Sequence, residues 1–127
     1  VKRANPEAQL HRAVAAFLSV ALKPPTIWTT IGHGGGGKVR GAQLKAMGVQ
    51  PGWPDIIIIH AAGHSPYYAE IAGIELKAGK GRQSPEQKAV EKAFTEAGGM
   101  YFVCRSVDDV ALALASCMDT PLHARTA

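Results

Sequence analysis

Gly52-Trp53-Pro54-Asp55-Ile56-Ile57-Ile58-Ile59 is the stretch from which the rest of the chain can be ordered. Gln50-Pro51-Gly52-Trp53-Pro54 has turn chemistry. Four consecutive β-branched residues then follow one aspartate. A continuous apolar run of this length suits a strand inside a sheet, covered on both faces, and such strands belong to α/β folds. Asp55 therefore stands where an irregular turn enters a buried strand, a position from which a side chain can be aimed at a site built on the end of a sheet.

Downstream, His60 to Pro66 is rich in turn formers, and Tyr67 to Ala78 contains the next strand or strands. Within it Ile74-Glu75-Leu76-Lys77 alternates apolar and charged. Successive strand side chains point to opposite faces, so Glu75 and Lys77 share one face and Ile74 and Leu76 the other. Ser84-Pro85-Glu86-Gln87 has the form of a helix start: an N-cap, proline at the first position and a capping-box glutamine. Val90, Phe94 and Ala97 continue that helix until Gly98-Gly99 stops it. Met100 to Cys104 is a further strand, and Ser106 caps a last helix through about Met118.

Upstream, Asn5-Pro6-Glu7 opens a helix whose Leu10, Val14, Phe17, Leu18 and Ala21 recur at helical spacing, and Lys23-Pro24-Pro25 ends it. Thr26 to Ile31 is a strand, Gly32 to Gly37 a glycine loop, and Arg40 to Met47 a short helix closed by Gly48. The order is helix, strand, short helix, strand, strand, helix, strand, helix. It predicts an α/β fold with a mixed central sheet flanked by helices. Residues 1–118 are expected to form one domain, with 119–127 a frayed tail.

Composition sets bounds. The chain has 127 residues, 46% hydrophobic and 19% charged, which is globular rather than disordered. No apolar run approaches the roughly 20 residues of a membrane span, and the chain opens without a signal-peptide pattern. Cys104 and Cys117 form no CxxC pair, which suits reduced thiols in a cytoplasmic protein. The net charge of +4 permits a phosphate-bearing partner. Lys77, Lys80, Arg82 and Lys88 cluster after the Glu-Leu-Lys strand, and Lys38, Arg40 and Lys45 follow the glycine loop. Each could equally be an ordinary solvated charge; as a group they offer phosphate contacts. Gly79 and Gly81 would let a phosphate backbone approach closely.

The chemistry concentrates on Asp55, Glu75 and Lys77. If their strands pair, two carboxylates and one ammonium converge at one edge of the sheet. Two close carboxylates resist burial together, and a hard divalent cation removes that cost. Such a cation would polarise a phosphoryl oxygen and activate a water, with Lys77 to orient the water or stabilise growing charge. Taken alone, Glu75 and Lys77 would be ordinary surface charges on an edge strand. Asp55, standing at the mouth of an apolar strand, turns them into a candidate site.

Pro54-Asp55, followed 20 residues after the aspartate by Glu75-Leu76-Lys77, resembles the PD-(D/E)XK nuclease pattern. The ordered set Gly52-Trp53-Pro54-Asp55, Ile74-Glu75-Leu76-Lys77, Ser84 and Gln87 more closely resembles the VRR-NUC family, over roughly Glu7 to Val103. The resemblance implies a restriction-endonuclease-like core and Mg²⁺- or Mn²⁺-dependent cleavage of DNA. It implies metal ligation by Asp55, Glu75 and the Leu76 main-chain carbonyl, and a catalytic Lys77. Gln87 corresponds to the family's glutamine on the helix after the lysine strand. Glu7 corresponds to the acidic residue of its first helix, acting on the metal through water or a second ion. Lys38, Arg40, Lys80, Arg82, Ser84 and Lys88 are then the expected nucleic-acid contacts. Branched or four-way junction DNA, and a homodimer suited to a two-fold junction, follow from the resemblance alone. Two members also suit a purely structural role. Gln87 completes the capping box of Ser84, although its spacing places it on a buried face; Glu7 suits the helix dipole, although it aligns with Leu10, Val14 and Phe17.

Other classes fit less well. A non-catalytic nucleic-acid-binding module of the same fold would not need the intact Asp-Glu-x-Lys set. A restriction-type or RNA-cutting nuclease stays open, though no separate recognition domain is evident. Gly32 to Lys38 has the GxxxxGK spacing, but Val39 stands where a P-loop needs Ser or Thr, so no nucleotide cofactor is expected. His33-Gly34-Gly35-Gly36 resembles an oxyanion-hole loop without any GxSxG nucleophile. His60 and His64 are four apart in a turn, not on a helix that could chelate zinc. Trp28 and Trp53 are expected in the core or a cleft wall.

Overall fold

A computed structural model describes residues 5–31, 37–63 and 65–118. The elements follow the expected order: α1 Pro6–Ala21, β1 Ile27–Thr30, α2 Gly37–Ala46, β2 Ile56–Ala62, β3 Ser65–Leu76, α3 Pro85–Glu96, β4 Met100–Cys104 and α4 Val107–Cys117. The four strands form one sheet in the order β1-β2-β3-β4. β1, β2 and β3 are antiparallel neighbours, while β4 runs parallel to β3 after the α3 crossover. A mixed sheet with helices packed on it is thus the fold.

Local chemistry explains the boundaries. The Asn5 side chain accepts from the Ala8 amide at 3.1 Å, with Pro6 at the first helical position. Ser84 and Gln87 form the complete reciprocal capping box at the start of α3. Ser106 caps α4 through the Asp109 amide.

The core lies on one face of the sheet. Ile56, Ile58, Ala72, Ile74, Leu76 and Cys104 are buried with Val14, Leu18 and Ala21 of α1 and Val110 and Leu114 of α4. Each fully buried Leu or Ile of this set contributes about 1.5–3 kcal/mol by leaving water. The other face takes only α3, which has no fully buried residue, so Ile57 and Ile59 are half-buried. β2 is interior, as its composition demands, but only alternate residues are fully covered. The expected double covering is therefore partial: one face has two helices and the other has one.

One further expectation changes. Within His60 to Pro66, expected as a loop, His60 to Ala62 and Ser65 to Pro66 are strand, because β2 and β3 are the arms of one hairpin and His60 pairs with Glu70. β3 is held between β2 and β4, so the alternative of ordinary charges on an edge strand does not apply to Glu75 and Lys77. The residues from Gly32 to Gly36, His64 and the 119–127 tail lie outside the described residues, and with them the rejected glycine-loop and paired-histidine motifs. Among the described residues no helix is long and apolar enough to cross a membrane.

Candidate active site

Asp55, Glu75 and Lys77 meet at one end of the two interior strands, on the α3 face. The β2–β3 register pairs Ile56 with Ile74, so parity puts Asp55, Glu75 and Lys77 on the face opposite the core. The Asp55 Oδ2 accepts a hydrogen bond from the Leu76 amide at 2.7 Å, which ties the first carboxylate to the strand of the second. The β2–β3 ladder runs only as far as the Ile56–Ile74 pair, and the chain bends at Asp55, so a side-chain carboxylate meets the Leu76 amide where a ladder would place a main-chain carbonyl.

Two glycines allow this turn to close on the sheet. Gly52 has φ +86, and a Cβ there would sit 2.6 Å from the Glu86 carbonyl carbon and oxygen. Its absence lets the turn lie against the backbone at the start of α3. Gly73 leaves room for the Pro54 ring, which a Cβ would meet at 2.8 Å. Trp53 packs edge-on against Phe94 at 6.3 Å and stays 39% exposed, so it is a cleft wall; Trp28 packs against the core.

Glu75 is 0% exposed, which is unusual for a carboxylate. Its Oε1 accepts from the Tyr101 hydroxyl. Its Oε2 is buried and has no hydrogen-bond partner. A carboxylate oxygen in that state is costly unless something positive meets it. Lys77 is half-buried beside it and makes no ion pair among the described residues.

These donors fit a hard divalent cation. Two carboxylates and a main-chain carbonyl suit Mg²⁺ or Mn²⁺, which keep waters and take substrate phosphate oxygens for the rest. Among the described residues no three His, Cys, Asp or Glu side chains are grouped to hold an ion, so Glu7 does not complete an all-side-chain cage with Asp55 and Glu75.

Glu7 is also corrected in its surroundings. Its spacing placed it on the buried face of α1, yet it is exposed. The fully buried residues of α1 begin only at Val14, so the first turns of the helix extend beyond the core. Gln87 is half-buried with its Oε1 accepting from the Ser84 amide at 2.8 Å. The capping role is therefore realised, and only its amide nitrogen is left for other work. Ser84 is spent the same way: its hydroxyl accepts from the Gln87 amide at 3.1 Å. Lys80, Arg82 and Lys88 are exposed around the α3 start, and Lys38 and Arg40 are exposed on α2.

Three residues beside Glu75 escaped the sequence reading. Tyr101 hydrogen-bonds Glu75 directly, and Gln83, paired with Glu91, lies near the Tyr101 hydroxyl. Burial, then the Glu75 hydrogen bond and charge, push the Tyr101 phenol well above its ordinary range, so it stays a neutral donor. The parallel β3–β4 register, which sets Tyr101 opposite Gly73, is what brings it here. The only local hint was a tyrosine two residues after a glycine pair.

No family model and no curated protein matches the chain. A solved structure described as a "VRR_NUC domain protein" does. It is 21% identical, with a TM-score of 0.65 over 91% of this chain and 89% of its own. The chain has the VRR-NUC fold, an α/β fold with a four-stranded mixed sheet.

Proposed function

We propose that this chain is a metal-dependent endonuclease that hydrolyses DNA phosphodiester bonds. The observation that carries the proposal is Glu75, a fully buried carboxylate with one unpartnered oxygen, tied through Leu76 to the carboxylate of Asp55. The fold of a VRR_NUC domain protein supports it. Asp55, Glu75 and the Leu76 carbonyl would hold Mg²⁺ or Mn²⁺. When bound, such an ion supplies Lewis-acid polarisation of the phosphoryl oxygen and a more acidic water. Lys77, on the same face, donates to the attacking water or to charge growing on the phosphate. Exposed Lys80, Arg82 and Lys88, with Lys38 and Arg40 of α2, position the phosphate backbone without reading sequence. The free amide nitrogen of Gln87 can donate to the scissile phosphate without dismantling the cap. Glu7 acts, if at all, through water or a second ion from the exposed start of α1.

Branched or four-way junction DNA is the proposed substrate and a homodimer the proposed assembly, in keeping with a two-fold junction. The test is cleavage of duplex, flap and junction DNA and of RNA, with Mg²⁺, Mn²⁺ or EDTA. Metal-dependent cutting of DNA that Asp55→Ala and Lys77→Ala abolish is expected. Undiminished cutting by Asp55→Ala would overturn the mechanism. Binding without cutting under every metal condition would make the chain a binding module. A strict monomer in gel filtration with light scattering would remove the dimer.

A further inference from the structure

Tyr101 hydrogen-bonds Glu75, and Gln83 and Glu91, paired with each other, stand next to Tyr101. Glu91 can only accept, so Gln83 presents its amide nitrogen to it, Nε2 to Oε1 at 3.0 Å. The Gln83 amide also lies close enough to the Tyr101 oxygen to act on it electrostatically. Glu75 likewise only accepts, so Tyr101 spends its single proton on Glu75 Oε1. Two donor directions are thereby determined: Gln83 donates to Glu91, and Tyr101 donates to Glu75. The Tyr101 ring is held edge-on against Phe94 at 5.8 Å, and its residue pairs with Gly73 of β3.

The consequence concerns the two oxygens of Glu75. Oε1 is committed to Tyr101 and Oε2 is buried without a partner. A carboxylate held in this way offers one oxygen to a cation. Mg²⁺ and Mn²⁺ take single oxygens in tight octahedra, whereas Ca²⁺ takes more ligands and readily accepts both oxygens of one carboxylate. We propose that Tyr101, seated against Phe94 and flanked by Gln83 and Glu91, is a positioning residue that restricts Glu75 to one-oxygen ligation and so makes the site prefer a small octahedral cation over calcium. This rests on Asp55 and Glu75 being a cation site, as proposed above.

Isothermal titration of Mn²⁺, Mg²⁺ and Ca²⁺ into the intact chain tests it without any cleavage assay. Tyr101→Phe keeps the ring against Phe94 and removes only the hydroxyl. It is expected to weaken Mn²⁺ and Mg²⁺ roughly 10-fold or more, the usual cost of losing a group that orients a ligand. Ca²⁺ should weaken less, so that the Mn²⁺-to-Ca²⁺ affinity ratio falls at least about 3-fold. Gln83→Ala, with Tyr101 intact, should move the ratio in the same direction by less, and it serves if Tyr101→Phe fails to fold. Asp55→Asn confirms that the heat comes from this site. Binding by the wild type with an unchanged ratio in both variants overturns the proposal and leaves the cation site standing. A wild type that binds none of the three ions overturns the cation site itself, and the proposal with it.

Discussion

Replacing Glu75 with glutamine should make the metal-free protein more stable while destroying its response to metal. Glu75 is 0% exposed and only one of its oxygens has a partner. A buried polar group without a partner costs about 1–3 kcal/mol, and more when it carries charge. Glu75→Gln keeps the shape and leaves an oxygen to accept from Tyr101. It still buries an unpaired amide, so only the excess cost of the charge is recovered, about 1–2 kcal/mol. For a chain of this length each kcal/mol moves Tm by roughly 3–5 °C, so a rise of about 3–10 °C is expected in EDTA. Metal should reverse the order. At 100 times its Kd an ion stabilises the wild type by about 2.7 kcal/mol, and the variant should gain little. Thermal melts of both proteins in EDTA and in Mg²⁺ or Mn²⁺ provide the four numbers. A variant less stable than wild type in EDTA would refute the idea that Glu75 is a strained, uncompensated charge. Equal metal stabilisation of both would refute its role as a ligand.

Three other perturbations have clear expectations. Gly52→Ala should cost at least about 2 kcal/mol in urea unfolding, because it adds left-handed strain to a clash at 2.6 Å with the Glu86 backbone. Gly48→Ala, also at positive φ but in open space, should cost only about 1–2 kcal/mol, and equal losses would show that the clash adds nothing. Lys80→Ala combined with Arg82→Ala should weaken DNA binding and flatten its log–log salt dependence by roughly 0.9 for each phosphate no longer neutralised; an unchanged slope would leave those residues as solvated charge. Cys104 is pushed from about 9 to about 12, first by burial and then by the Asp109 charge. Its folded value is raised, so its contribution to stability is complete below about pH 9 and is lost as pH rises toward 12. Tyr101, also raised, works in the same direction. Stability should therefore fall on the alkaline side, and iodoacetamide at pH 8.5 should spare Cys104 until the protein unfolds; rapid native labelling would contradict this burial.

What local sequence determined about this protein was its list of elements and the parity of its charged residues. Capping chemistry is settled within three or four residues, which is why the starts of α1, α3 and α4 could be read from Asn5, Ser84 and Ser106. The alternation of a strand has a period of two, so Glu75 and Lys77 had to share a face wherever the strand lay. The same local rules misplaced Glu7, whose helical phase was right but whose turn projects past the core. They also took His60 to Pro66 for a loop, because turn formers do not reveal that a hairpin partner lies opposite.

Only the tertiary structure decided the rest. Strand order, the antiparallel β2–β3 pairing and the parallel return of β4 are contacts between segments far apart in the chain, and no short pattern encodes them. Those pairings bury Glu75 completely, bring the Asp55 carboxylate to the Leu76 amide, and deliver the Tyr101 hydroxyl to one of the two oxygens of Glu75. The sequence carried the carboxylates; the sheet, by choosing their neighbours, decided which of their oxygens has a hydrogen-bond partner and which has none.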